Sequence, residues 1–342
     1  MAEVYTGFNN EEDVVTEVQQ TLSSGMFSGG VGTLSTFFTS SAQSSSNGKY
    51  FYDVYKTSPA TDSEAEVQFS IAFGHYDGSG SIGVLGSSYT DRPSAAVYSQ
   101  FRTLLLAPND DKFTFTPSKD RKHIYVISMA RARMREKMDP GNWELHLSGS
   151  AAKKISLIDD SGATTNPTVN QGGRVFNVVS GTIASGDAVT NTAAASETTD
   201  GAYGLFYPDM GIIVLNGQKL DQGYLALGTN TGSNAAKNNS QKLFAAVSRS
   251  ANFVARREEQ LSTTHYFCRV TNKKYNFSTN PTFFTQSDGS LTVSSMQNDP
   301  KVYVTTVGLY NDNNELLAVA KLSKPLLKSF SREAIIKVKL DF

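Results

Sequence analysis

Residues 302–342 read VYVTTVGLYNDNNELLAVAKLSKPLLKSFSREAIIKVKLDF, and this stretch decides the fold class. From residue 335 onward, apolar and charged side chains alternate along the chain. The alternating apolar residues are Ile336, Val338, Leu340 and Phe342. A period of two is typical of a strand with one buried face. The sequence therefore predicts a terminal strand that closes a β-rich domain, so a C-terminal truncation should damage folding.

A hairpin is predicted directly upstream of this strand. Residues 302–309 and 316–322 are apolar runs, and the connection at 311–315 reads Asn-Asp-Asn-Asn-Glu. Asn and Asp side chains suit tight connections because they tolerate turn conformations and hydrogen-bond the local backbone. The stretch as a whole thus predicts strand, turn, strand and a final strand.

Composition extends this reading to the whole chain. At 342 residues, the chain is long enough for two compact units, or for one unit with a large insertion. Only 18% of residues are charged and 27 are glycine, which favours many turns and few long amphipathic helices. We expect an α+β, mostly β fold: an antiparallel β-rich body with a few short helices and a loop-rich insertion.

Charge and cysteine content exclude several classes of protein. The formal net charge is -1, so no global field would hold a polyanion and nucleic acid is not an expected partner. Cys268 is the sole cysteine, so an intrachain disulfide cannot form. Residues 1–50 lack the basic start of a signal peptide, and no apolar run approaches the roughly 20 residues of a membrane span. We expect a soluble protein without a membrane partner.

Four segments are predicted along the chain. Residues 1–48 combine a helix over 10–22, started by the capping residue Asn10, with a Ser/Gly-rich extended arm. The arm carries Phe27, Phe37 and Phe38, and a segment that is flexible yet aromatic often orders against a partner, although packing on its own domain explains the same residues. We expect a chain without residues 1–38 to fold but not to assemble.

Residues 49–148 form the first part of an α+β body. The patterns predict strands at 50–55 and 67–73, a helix at 93–106 with a first-turn proline, and a turn at 139–142. Trp143, Leu145 and Leu147 then alternate with polar residues, as in a half-buried strand.

Residues 149–242 are predicted to be a Ser/Thr/Gly/Asn-rich insertion domain, with one buried strand at 205–215. Residues 243–342 complete the body. They are predicted to contain a helix at 243–259, a strand at 265–271, an extended loop at 273–284, and the terminal hairpin and strand.

The glycine-rich stretch 78–83, GSGSIG, matches a dinucleotide-binding fingerprint only in its spacing. The fingerprint requires a helix that begins at the third glycine and an acidic residue about 20 positions further on, and neither is present. A calcium loop starting at Asp77 fails because Ser88 replaces the required bidentate glutamate. We interpret the loop, with Tyr76 and Asp77, as a contact to a neighbouring subunit.

No catalytic constellation is evident. His75, His123, His146 and His265 form no metal-binding pair in sequence, and neither a nucleophile elbow nor a phosphate loop occurs. Adjacent acids, at 110–111 and 159–160, are typical of turns, although glycoside hydrolysis also uses paired carboxylates. The sequence predicts a non-enzyme with no cofactor, no metal and no small-molecule substrate.

Arg131, Arg133, Arg135 and Lys137 recur at period two. If the strand from Ile124 continues this far, the four cations share one face that would suit an acidic protein partner. A helix would separate them, and a solvated strand end explains the same residues.

Several segments resemble large structural proteins of T4-like, contractile-tailed bacteriophages, many of which infect cyanobacteria or other marine bacteria. They are GLYN and NELLAVAKLSKPL near the C-terminus, FGHYDGSGSIG at 73–83, AVYSQFRTLLLA at 96–107, MDPGNWELHLSG at 138–149 and YGLFYPDMGIIVLN at 203–216. The resemblance spans most of the chain, and none of the matching segments is a catalytic signature.

This resemblance implies a virion subunit of the tail or baseplate, assembled in the host cytoplasm. Its expected partners are other virion structural proteins and symmetric copies of itself. A neck or capsid-associated protein, or a tail protein that binds a receptor or glycan, is the alternative.

Overall fold

The computed structural model describes residues 5–40, 51–78, 93–115, 119–149, 153–163, 166–184, 202–221, 225–229, 235–278, 280–285 and 287–341. The chain forms two compact units. The large unit comprises residues 22–259, and the terminal unit comprises residues 1–21 and 260–342. Strands account for 48% and helices for 15%, and the sheets are antiparallel, so the predicted α+β, mostly β class is confirmed.

The strands, in chain order, are β1 Val14–Gly25, β2 Thr33–Leu34, β3 Phe38–Thr39, β4 Phe51–Tyr55, β5 Val67–His75, β6 Phe113–Phe115, β7 Lys119–Arg121, β8 His123–Met129, β9 Lys137–Ser148, β10 Lys154–Asp159, β11 Thr168–Asn170, β12 Gly173–Ser180, β13 Gly204–Tyr207, β14 Ile212–Asn216, β15 Phe253–Val270, β16 Val302–Tyr310, β17 Leu316–Lys328 and β18 Ala334–Asp341. The helices are α1 Pro93–Leu105, α2 Arg131–Met134, α3 Gly217–Asp221 and α4 Ala235–Ser250, with a 3-10 turn at Ser294–Met296.

One antiparallel sheet organises the large unit. Its order is β15-β9-β10-β12-β13-β14-β8-β5-β4-β3, and the first part of β15 provides the strand beside β9. Strands β10 to β14 come from the stretch expected to be an insertion. They lie within this sheet, between β9 and β8.

The segment containing β2 and β3 joins the two ends of this sheet. Leu34 pairs with Phe253 at the start of β15, and Phe38 pairs with Tyr55 of β4. A sheet whose two ends are bridged in this way curves into a barrel. The segment is therefore part of the barrel wall.

Alternate residues of the central strands face two different cores. In β14, Ile213 and Leu215 belong to the larger cluster, whereas Ile212 and Val214 belong to a smaller one that includes Tyr98 of helix α1. The larger cluster receives side chains from strands all round the sheet and from helix α4, so it fills the barrel. Both faces of β14 are buried, which explains its unbroken apolar sequence.

The helix predicted at 10–22 is wrong, because strand β1 begins at Val14. Asn9, not Asn10, caps only a short turn, accepting a hydrogen bond from the Glu11 amide. In the terminal unit β1 lies next to β15, with Thr16 Oγ1 3.0 Å from Thr264 Oγ1. Pairing with a distant strand outweighs a local helix start in a segment rich in Val and Thr.

Two other elements have boundaries that differ from the predicted ones. The helix predicted at 243–259 is α4, which ends at Ser250, where Ala251 adopts a positive φ of 52°; strand β15 follows. The strand predicted at 205–215 is two strands, β13 and β14, because a turn with Gly211 at φ 66° separates them. Predicted strands near 50 and 67 and the helix from Pro93 are confirmed.

The predicted turn at 139–142 lies inside β9. Opposite it, the β15 register jumps between Ala255 and Arg257, which marks a bulge. Gly141 has a φ of 77°, and its amide donates a 2.8 Å hydrogen bond to the buried Asp159 carboxylate. Burial raises the pKa of Asp159, against the lowering effect of hydrogen bonds from Ser161 and the Gly141 amide.

The terminal unit contains the hairpin and the final strand predicted from residues 302–342. Strands β16 and β17 form an antiparallel hairpin around residues 311–315, and β18 pairs with the second part of β15, with Ile336 opposite Cys268. Of the four residues predicted to be buried, Ile336 and Val338 are buried, Leu340 is half-buried, and Phe342 lies outside the described residues. Ile335 on the other face is 66% exposed. The alternation along β18 thus separates a buried face of the strand from a solvent-exposed face.

Candidate assembly surface

The aromatic arm is built into the large unit. Phe27 packs 5.5 Å from Phe253, and Phe37 packs 6.4 Å from Phe69, measured between ring centroids. Both are core residues, so their side chains are not available to a neighbouring subunit. Phe38 points the other way and is exposed, which leaves it as the contact candidate of this segment.

Tyr76 and Asp77 lie at the end of β5. The Tyr76 ring is exposed and stands 5.6 Å from the Tyr98 ring, while the Lys122 amine donates a 2.8 Å hydrogen bond to Asp77. That bond is the main reason why the pKa of Asp77 is lowered. The rest of the predicted contact loop, residues 79–83, lies outside the described residues.

The basic residues from 131 onward do not form a cationic strand face. Strand β8 ends at Met129 and helix α2 follows, so the strand from Ile124 does not continue through these residues and the helical alternative applies to Arg131 and Arg133. Arg133 pairs with Glu66 at 2.8 Å and Arg135 with Glu259 at 3.1 Å. Lys137 pairs with Glu258 at 3.2 Å, and Arg131 is exposed. Three of the four cations are therefore neutralised within the large unit.

Two histidines that are distant in sequence meet across β5 and β8. The rings of His75 and His123 stack with centroids 6.0 Å apart, and His123 Nε2 is 3.7 Å from an Asp221 carboxylate oxygen. Burial and the neighbouring His123 lower the pKa of His75. Within the described ranges, no three His, Cys, Asp or Glu side chains group as metal ligands would.

Exposed apolar side chains are concentrated on the terminal unit, although it is the smaller of the two. Its exposed large apolar residues are Tyr5, Val15, Tyr275, Phe277, Val293, Tyr303, Tyr310, Leu316, Leu317, Val319, Leu326, Phe330 and Ile335. Soluble monomers rarely group such side chains unless the patch binds something. This unit therefore carries the strongest candidate surface.

The hairpin tip is one centre of this surface. We use this name for Tyr310, the turn 311–315, Leu316 and Leu317. Leu317 is 68% exposed, and Tyr310 and Leu316 fold over Gly308, where an added Cβ would lie 2.9 Å from the tyrosine ring. Asp312 and Glu315 are exposed acids in the turn. The tip is therefore apolar and anionic at once.

A second centre is a cleft at the base of the same hairpin. The aromatic cleft has a volume of about 470 Å³ and is bordered by the rings of Tyr275, Phe277, Phe283 and Tyr303 and by Lys301. Tyr303 is 64% exposed. Ser278, Asn280 and Thr282 also line the cleft, and none of its described lining residues is acidic.

A buried lysine holds the wall of this cleft. The Lys328 amine donates to the Asn276 side-chain oxygen at 2.9 Å and to the backbone oxygens of Asn272 and Ser329 at 3.0 Å. Burial lowers the pKa of Lys328 because the charged form loses solvation. The Tyr275 hydroxyl lies 2.6 Å from Thr6 Oγ1. These bonds fix the 272–276 loop and thereby position Tyr275.

The sequence patterns predict a hairpin at 302–322 but do not indicate either centre. In the structure most side chains of β17 are exposed or half-buried on both faces of the strand, so little of the described chain covers this hairpin. The Tyr5 ring, 5.0 Å from that of Tyr310, packs on it. Adjacent leucines at 316–317 and 326–327 were the available signal, since neighbours on a strand point to opposite faces.

None of the helices in the described ranges is long and apolar enough to span a bilayer. No protein-family model, no curated protein and no solved structure matches this chain.

Proposed function

We propose that this chain is a non-enzymatic structural subunit of the virion of a contractile-tailed, T4-like bacteriophage, located in the tail or baseplate. It assembles by protein–protein contacts with other virion proteins and with copies of itself. The placement in a phage rests on the segment resemblances described above.

The observation that carries the assembly role is the exposed apolar surface of the terminal unit. Leu317, Tyr303 and Ile335 each expose more than 60% of their surface. Burying apolar area contributes about 25 cal/mol per Å², so covering such side chains is a strong drive to associate. A chain that works alone would lose solubility by this arrangement, whereas an assembly subunit uses it.

The second candidate, a tail protein that binds a glycan, is favoured by one observation. The aromatic cleft combines exposed rings with the polar groups of Ser278, Asn280 and Thr282, a combination that sugars can stack on and hydrogen-bond to. Trp143 does not contribute to such a site because it is fully buried in the large unit.

The proposal is tested on virions of the phage whose genome encodes this chain. Quantitative mass spectrometry should find the chain in purified particles, and averaged electron microscopy should show density for it in the tail or baseplate. Hundreds of copies per particle would instead place it on the capsid, and a few copies at the head–tail junction would place it in the neck. Absence from purified virions would overturn the proposal.

Binding to host cells separates the glycan-binding candidate from the assembly subunit. Purified protein with a Tyr303→Ala substitution should bind host cells no differently from wild type if the chain only assembles. Loss of cell binding in that variant would favour the receptor-binding role.

A further inference from the structure

The terminal unit carries two surfaces with complementary properties. The hairpin tip presents the exposed side chains of Leu316 and Leu317 next to the acids Asp312 and Glu315. The aromatic cleft presents rings next to Lys301, whose side chain is 59% exposed and whose amine lies 4.0 Å from the Asp299 carboxylate. An apolar anionic knob and an aromatic cationic recess match in both polarity and charge.

The tip cannot occupy the cleft of its own chain. Tyr303 borders the cleft, and Tyr310 begins the tip, at opposite ends of strand β16. At about 3.3 Å per residue, the strand separates them by roughly 23 Å. The two residues are held in one paired ladder with β17, so the hairpin does not fold back on itself. Only another molecule can bring a tip to this cleft.

We propose that the hairpin tip of one copy docks into the aromatic cleft of a second copy of this chain. The contact is heterologous, because each copy uses two different surfaces, and repetition of the contact closes a ring or extends a chain of subunits. This inference deepens the proposed function by naming the contact through which copies assemble.

The chemistry of the contact follows from the residues. Leu317 gains burial among the rings of Tyr303 and Phe277, and aromatic rings bordering a recess are typical anchors of interface energy. Asp312 and Glu315 come close to the Lys301 amine, which orients the tip. The Lys328 anchor keeps the 272–276 loop in place before docking, so little ordering is required on association.

The first test measures the mass of the purified full chain in solution by light scattering and sedimentation over a range of concentrations. Wild type should associate beyond one copy. Leu317→Asp in the tip and Tyr303→Asp in the cleft should each weaken association by about tenfold or more, since each replaces an apolar anchor at the centre of the contact by a hydrated carboxylate. The control is Val169→Asp, an equally exposed valine of the large unit that should leave association unchanged.

Mixing the two variants gives the decisive result. Each alone lacks one half of the contact, but the Tyr303→Asp protein keeps an intact tip and the Leu317→Asp protein keeps an intact cleft. The mixture should therefore form a heterodimer, which stops at two copies. A symmetric contact between two hairpins would not be restored by mixing, and that outcome would overturn the proposal.

A charge exchange adds a second check. Lys301→Glu and Asp312→Lys should each weaken association, and the doubly substituted chain should recover part of it. Circular dichroism must show unchanged folding, which is expected because these side chains are exposed.

A wild-type chain that remains monomeric at high concentration would overturn the proposed tip-to-cleft contact. The presence of the chain in virions would still support the structural role. Binding of the wild-type chain to a glycan array, lost in the Tyr303→Asp variant and without self-association, would assign the cleft to sugar instead.

Discussion

The Asp209 carboxylate holds together the turn that precedes β14 and the start of strand β12. One oxygen accepts a 2.9 Å hydrogen bond from the Arg174 amide, and the other accepts a 2.9 Å bond from the Arg174 guanidinium. Burial raises the pKa of Asp209, but the hydrogen bonds from Arg174 outweigh it, and the net pKa is lowered. Gly173 must remain glycine, because at φ 90° an added Cβ would lie 2.5 Å from this carboxylate.

Replacing Asp209 with Asn should therefore destabilise the protein in a pH-dependent way. A lowered folded-state pKa means that the carboxylate contributes stability above the unfolded pKa of about 4, and that this contribution disappears as the pH falls through the lower folded value. We expect Asp209→Asn to cost about 1 kcal/mol at pH 7, reduced by solvent screening of a partly exposed pair. The difference from wild type should shrink below pH 4 in urea titrations.

Asp111→Asn is the matched control for this carboxylate. Asp111 pairs with Arg102 at 3.5 Å, but its side chain is almost fully solvated. Exposed ion pairs contribute little, so this variant should match wild type at both pH values. An Asp209 effect that is equally large at pH 3 and pH 7 would contradict the assigned role of the charge.

At the scale of elements, the segment with β2 and β3 determines whether the large unit forms. Residues 1–38 were expected to be dispensable for folding, but the structure places Met26, Phe27, Leu34 and Phe37 in the main core. Deleting them would remove part of the barrel wall together with these side chains. We therefore expect a chain without residues 1–38 to be unfolded. It should not form the folded but assembly-deficient protein that the sequence predicts.

A milder substitution tests this role of the segment. Leu34→Ala should cost about 2–5 kcal/mol, the usual result of emptying a fully packed site. Val31→Ala, a few residues away but partly exposed, should cost less than about 1 kcal/mol. Fluorescence of Trp143, the sole tryptophan and a buried residue of the same unit, reports unfolding directly in urea. Equal effects of the two substitutions would show that the segment is not part of the packed wall.

Local patterns predicted elements well where one strand face is buried and the other is open. The alternation around Trp143 in β9 and around Ile336 in β18 is of this kind, and helix α1 follows from Pro93 at its first turn. Pairing between distant strands carries no local signal. Nothing near Val14 indicates that it enters a strand beside β15, and nothing near Leu34 indicates that it pairs with Phe253.

The same limit applies to the candidate surface. Whether an apolar strand such as β17 is covered depends on how many layers the fold supplies, and that number is a property of the complete topology. Phe27 and Phe38 are both aromatic residues of one arm, yet one is in the core and the other exposed. The cleft combines residues from 275 to 304, brought together by a loop without a period.

At the scale of the whole molecule, the net charge and the ion pairs indicate which kind of contact attaches the chain to a virion. The net charge of -1 gives copies little mutual repulsion, and the arginines at 133 and 135 are already paired with Glu66 and Glu259. Among its described residues, the terminal unit exposes thirteen large apolar side chains. The attachment should therefore depend on apolar burial, which salt does not weaken.

Washing purified tails or baseplates with about 1 M NaCl, where the Debye length falls to about 3 Å, tests this expectation. The chain should stay bound, and a virion carrying Arg131→Glu should retain it equally well. A virion carrying Leu317→Asp should retain less of it even at low salt, because the lost contact is apolar.

Release of the wild-type chain by salt, or its loss in the Arg131→Glu virion, would instead indicate an acidic partner held through the basic residues that follow β8. Quantitative mass spectrometry of washed particles distinguishes these outcomes, since each predicts a different pattern of retention across the two variants and the two salt concentrations.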